Sequence, residues 1–213
     1  MNRLTHLIII FSLLWGPVVA NAATEDKVMQ VDETMVKQWN IFSDKVLALH
    51  KKILGATAHR KEIRSGGYTG YYFNRPDFYI EETYFAEDDG RLLSRVKWEK
   101  ANPGNLHVLE VYIYDESRVL VRDYLVAYLP WGRNAPIQAL VNFHTRAADV
   151  QGFRQFDASG VRVYEQCSGQ IDGKKISISL ESHEIESPRI DQKDYRHCFS
   201  GLPTKAGIYL DPR

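Results

Sequence analysis

From residue 68 onward the hydrophobic positions recur every second residue. In "DFYIEETYF" Phe78, Ile80 and Tyr84 fall on one side of the chain. In "RLLSRVKWE" Leu92, Val96 and Trp98 share a face, and Arg91, Arg95, Lys97 and Glu99 mostly take the other. The segments "LHVLEVYIYD", "RVLVRDYLVAYL", "IQALVNFHT", "GFRQFD", "VRVYEQC" and "KISISLESH" continue the pattern. Period two with turn residues at each end predicts β-strands. The turns are short: Asp88-Asp89-Gly90, Asn102-Pro103-Gly104, Asp115-Glu116-Ser117, Asp157-Ala158-Ser159-Gly160 and Asp172-Gly173. Parallel neighbours need crossovers of about a dozen residues, so these links predict an antiparallel meander of about eight or nine strands.

An acid–turn–strand unit recurs in "AEDDGRLLSRV", "IYDESRVLVRDY", "QFDASGVRVYEQ" and "QIDGKKISIS". Asp caps nearby backbone N–H groups in a turn, and Gly takes the positive φ of a tight hairpin. The uneven spacing of the copies argues for repeated hairpin chemistry and against a solenoid of fixed period.

The period is different before residue 55. Val28, Val31, Met35, Trp39, Phe42, Val46, Leu49 and Ile53 are separated by three or four residues, with polar residues filling most of the other side. This predicts an amphipathic helix over residues 27–54, stopped at Gly55. Trp39 and Phe42 suit a globular core better than a coiled-coil seam, so the stripe is expected to pack on the sheet. The basic run His59-Arg60-Lys61-Glu62-Ile63-Arg64, ending in Ser65-Gly66-Gly67, reads as a solvated connector. The expected fold is α+β: a long N-terminal amphipathic helix packed on a curved, mainly antiparallel β-meander.

The first residues bear on the compartment. Arg3, the apolar run Leu7–Val19 and the small residues of Ala20-Asn21-Ala22 form the three-part layout of a secretory signal peptide. The run is shorter than the about 20 apolar residues of a spanning helix. The chain therefore divides into a signal peptide at 1–22, helix and basic linker at 23–66, and a β domain at 67–213, with 23–213 expected to form one folded unit. Periplasmic or secreted location follows, with no transmembrane span after cleavage near Ala22. Charge adds one exclusion. Lys and Arg number 27 and Asp and Glu number 27, so the basic excess that marks a nucleic-acid partner is missing.

Cys167 and Cys198 are the two cysteines. In an oxidising compartment an even count is read as a disulfide. The bridge would close a loop of about thirty residues, worth roughly 3–4 kcal/mol on the chain-entropy model. Neither cysteine belongs to a Cys-x-x-Cys or Cys-x-x-Cys-His run, which argues against redox or haem chemistry. A zinc site would need further ligands from residues such as His183 and His197, without any standard spacing.

No nucleophile elbow, zinc-protease, phosphate-loop or dinucleotide motif occurs, and no cofactor or metal is expected. In "SHEIE", His183 and Glu184 would point to opposite faces of a strand, so this cluster with Glu186 reads as a solvated strand end. His107 groups by alternation with Leu109, Val111 and Ile113, and His144 with Leu140. Together with Glu110 and Asp123 they are the titratable candidates for a catalytic site, against the simpler reading of buried histidines satisfied by a neighbour. Tyr112, Tyr124, Tyr128 and Trp131 are the binding candidates, because an aromatic body with a polar tip suits a groove or interface. The segment 128–136, "YLPWGRNAP", reads as a stiff apolar projection.

Two function classes follow. The first is an exported, non-enzymatic binding or accessory protein for a hydrophobic small molecule or an envelope-protein partner. The second is an exported hydrolase built on a histidine and a carboxylate, which requires those groups to converge on one concave site. A structural subunit of an envelope assembly would instead expose an apolar patch on the helix or the 128–136 segment.

Overall fold

A computed structural model describes residues 32–70, 73–147, 149–185 and 193–212. Helix α1 spans Glu33–Ala56. It is followed by nine strands: β1 His59–Gly70, β2 Phe73–Ala86, β3 Leu92–Glu99, β4 Leu106–Tyr114, β5 Leu120–Ala127, β6 Gln138–Ala147, β7 Val150–Asp157, β8 Arg162–Ile171 and β9 Lys174–Glu181. A short helix α2 follows at Lys193–Phe199. The strands form one sheet in sequence order, and every neighbouring pair is antiparallel. The expected α+β meander is thus present. The signal-peptide segment lies outside the described residues, as do Val28 and Val31 of the helical stripe.

Helix α1 begins where its chemistry says it should. The Asp32 carboxylate accepts from the backbone N–H groups of Thr34 and Met35, capping donors that lack a partner within the helix. The helix buries Phe42, Ser43, Val46, Leu49 and His50. They meet the row Ser94–Val111–Tyr124–Val141–Phe156 and the row Val96–Leu109–Val126–Ala139, each set by strand register. Val46, Val96, Leu109, Val111, Val126 and Val141 are all fully buried. Each such side chain contributes about 1.5–3 kcal/mol relative to exposure, so this layer holds the helix in place.

The basic connector is a correction. His59 to Gly66 pair residue by residue with Ala86 to Tyr79, so the basic run is the first half of edge strand β1. Lys61 reaches Glu82 across the ladder at 2.9 Å. Arg64 stands directly opposite Glu81. Sheet edges commonly carry charge because it discourages pairing with another chain. A charged edge has no hydrophobic alternation, and that is why the pattern missed it.

The C-terminal segment covers the other half of the same sheet face. The Cys167–Cys198 disulfide joins β8 to α2, with Cα atoms 5.9 Å apart. Among the described residues no cysteine is free. Beneath α2 lies a buried ionic cluster. Arg154 pairs with Glu165, and their side chains are 3% and 0% exposed. Tyr195 donates to Glu165 at 2.6 Å, and the Arg154 guanidinium also donates to the carbonyls of Leu202 and Pro203. The cluster ties the last residues to the sheet. The disulfide fits a chain that matures in an oxidising, exported environment.

Candidate functional site

The segment between β5 and β6 is strapped down at several points. Leu129 and Gly132 form an isolated antiparallel bridge. Tyr128 donates its hydroxyl to Ser43 of α1 at 2.9 Å, and its backbone exchanges hydrogen bonds with His107. Arg133 donates to the Leu106 carbonyl at 2.8 Å and pairs with Glu99. Asn40 of α1 donates to the Asn134 carbonyl at 2.5 Å. Pro130 and Pro136 limit backbone freedom further.

Between this segment and the first turns of α1 lies an apolar groove of about 340 Å³. Its walls are Met35, Val36 and Trp39 on the helix, facing Leu129, Pro136 and Ile137. Trp39 is fixed by a 3.0 Å hydrogen bond from its indole N–H to Ser159, and Gln38 donates to the Ala158 carbonyl. The helix is thereby held to both the 128–137 segment and the β7–β8 turn. Met35 is 40% exposed and Ile137 is 49% exposed, so the groove is apolar and open to solvent. Trp131, 60% exposed, stands beyond it with its ring against Tyr68 at 6.0 Å.

The four aromatic candidates do not share a site. Tyr128 and Trp131 belong to this segment. Tyr124 is buried under α1, with its ring 6.1 Å from Phe42. Tyr112 lies on the opposite face of the sheet and donates to Glu110 at 2.9 Å. Burial raises the Tyr124, Tyr128 and Tyr112 hydroxyls above the ordinary tyrosine pKa, so all three stay protonated.

The histidine candidates part in the same way. His107 is 6% exposed and faces the core side, where Tyr68, Phe78 and Tyr79 surround it and its Nδ1 meets the Tyr128 carbonyl. Burial holds its pKa below the ordinary histidine value. His144 is on the far face, with Nε2 2.5 Å from Asp123 Oδ2. Asp123 also accepts from Asn142, which accepts in turn from Gln155. Glu110 is committed to Arg95 at 3.1 Å. Of the proposed catalytic set, only His144 and Asp123 converge. Among the described residues Asp123 is the hydrogen-bond partner of His144. His183 lies in a 3₁₀ turn at Ser182–Glu184, and Glu186 lies outside the described residues. Among the described residues no group of His, Cys, Asp or Glu is arranged to hold a metal ion, and no helix is long and apolar enough to cross a membrane.

Tyr128, Trp131 and the 128–136 segment are recognisable in the sequence, whereas Ile137 carries no signal of its own. Met35 continues the helical stripe, and no local signal marks it as the exposed end of that stripe.

No protein-family model and no curated protein matches the chain. A solved structure of a DUF3836 family protein from Parabacteroides distasonis aligns at 13% identity over 51% of this chain and 94% of that one, with a TM-score of 0.28.

Proposed function

We propose that this is an exported, non-enzymatic accessory protein that binds an apolar segment of an envelope-protein partner in the groove between α1 and the 128–137 segment. The supporting observation is the groove itself. Exposed apolar side chains from the helix and the strapped segment adjoin, and hydrogen bonds from Asn40, Trp39 and Tyr128 hold both walls. An exposed apolar patch with a polar rim is the mark of a protein-interaction site. A preformed site also spares the ordering cost that weakens binding by mobile surfaces. Export rests on the signal-peptide layout of residues 1–22 together with the disulfide. In this reading α1 is the amphipathic N-terminal element of the mature chain, and the sheet curves around it. Register shifts in β1–β2, β2–β3, β3–β4 and β4–β5 support that curvature, since bulges bend strands.

A lipid carrier fits less well. Carriers bury most of their ligand's surface, whereas the space between α1 and the sheet is filled by buried Phe42, Val46, Leu109 and Val126. The test is selection of peptides from a random displayed library on the disulfide-intact protein, with counter-selection on Ile137→Asp. Enrichment of peptides with spaced apolar residues that lose binding to the variant supports the reading. Binding that ignores Ile137 contradicts it.

A further inference from the structure

The face of the sheet opposite α1 carries a second surface, independent of the groove. Strand register places His144, Phe153, Gln166 and Ser179 in one row across β6 to β9. The next row is Arg146, Gln151, Ser168 and Ser177. Directly opposed residues share a face, so both rows project to the same side. A third row, Asn142, Gln155, Tyr164 and Glu181, borders them. None of these twelve positions is aliphatic. With strands about 4.8 Å apart, each row extends roughly 14 Å.

A trough of about 600 Å³ opens along the first two rows, and Val119 with Leu120 at the start of β5 walls one end. Phe153 is part of its lining. Its ring is 5.3 Å from His144 and 6.1 Å from Tyr164, which makes a strip of aromatic surface across three strands. Around that strip the Gln151, Gln166, Ser168 and Ser177 side chains make no hydrogen bond to other described residues, and all four are exposed. The bordering row behaves differently: Gln155, Asn142 and Asp123 bond to one another and hold His144. A rigid, internally satisfied row thus supports a row of amides and hydroxyls with donors and acceptors to offer.

Formal charge is sparse along the two trough rows. Arg146 carries it, while His144 lies against Asp123. Arg118 at the rim is engaged by Asp88 and Asp89 at 3.2 and 3.1 Å. A polyanion would need a run of available cations, and an apolar ligand would need aliphatic walls. Aromatic faces beside amides and hydroxyls match a molecule with apolar C–H faces and a hydroxyl rim.

We propose that this trough binds a neutral oligosaccharide, with Phe153 and Tyr164 stacking on sugar rings and Gln151, Gln166 and Ser168 bonding to their hydroxyls. The test is affinity electrophoresis of the disulfide-intact protein in gels containing galactomannan, mixed-linkage β-glucan or amylose, with heparin and polygalacturonate gels alongside. The expected result is retardation by at least one neutral polymer, reduced at least tenfold in apparent affinity by Phe153→Ala and by the double variant Gln151→Ala/Gln166→Ala. The double variant carries the test if Phe153→Ala fails to fold, because both glutamines are exposed. Retardation by no neutral polymer, by the polyanions alone, or unchanged in the double variant would overturn the proposal. Ile137→Asp in the groove leaves the retardation unchanged, so failure here and failure of the groove are separate results.

Discussion

A Cβ placed on Gly152 would sit 2.6 Å from the carbonyl oxygen of Cys198. Gly152 is also the direct cross-strand partner of Cys167. The absent side chain at Gly152 lets α2 lie against β7 and brings Cys198 within reach of Cys167. The same hypothetical Cβ would press on Thr145 at 2.9 Å, so neither neighbour leaves room for it. In Gly152→Ala the helix must lift or the strand must bend. Overpacking of this kind costs about 1–3 kcal/mol. Urea unfolding is expected to show that loss, and oxidative refolding is expected to leave more free thiol than in the wild type.

The disulfide itself spans a sequence separation of 31 residues. Replacing both cysteines with serine is expected to lower unfolding free energy by about 3–4 kcal/mol through the freed chain entropy of the unfolded state. Denaturant unfolding with and without reductant checks it: the wild type should respond to reductant and the variant should not.

The Arg154–Glu165 pair predicts a sign that simple counting of salt bridges would miss. Glu165→Gln leaves the Arg154 charge buried without its counter-ion and is expected to cost about 3–5 kcal/mol. The double variant Arg154→Met/Glu165→Leu removes both charges and should recover much of that loss. Chemical denaturation of Arg154→Met, Glu165→Leu and the double variant supplies the cycle.

Stability should fall in mild acid. His50 is held below the ordinary value of 6.5 mainly by burial, with Lys51 and His59 adding to the effect and Glu82 opposing it. His107 is lowered by burial too. A lowered folded pKa means that the unfolded chain binds more protons, so stability rises with pH through this window and levels off above about 6.5. The melting temperature is expected to drop between about pH 7 and about pH 5, and His50→Gln should flatten part of that slope. A profile that is flat in the wild type would contradict the assignment.

Much of the architecture was legible because it depends on local periodicity. The meander follows from alternation and short turns, and the helix from its stripe. The disulfide follows from parity and compartment. Strand β1 was hidden because its edge position favours charges over alternation. The groove was only half visible. Trp131 and the prolines of 128–136 marked a stiff segment, but its other wall comes from Met35, Val36 and Trp39, nearly a hundred residues earlier. Residues that meet only through tertiary packing leave no spacing rule behind. The same holds for His144 and Asp123, which lie 21 positions apart and meet because β5 and β6 pair in register.

The groove is best probed by the affinity of a selected apolar peptide for the wild type, Met35→Asp and Ile137→Asp, measured by calorimetry on oxidised protein. Micromolar binding to the wild type is expected, with at least a tenfold loss in each variant and unchanged melting temperatures because both side chains are already exposed. Equal affinity in all three proteins would contradict the placement of the binding site in the groove between α1 and the 128–137 segment.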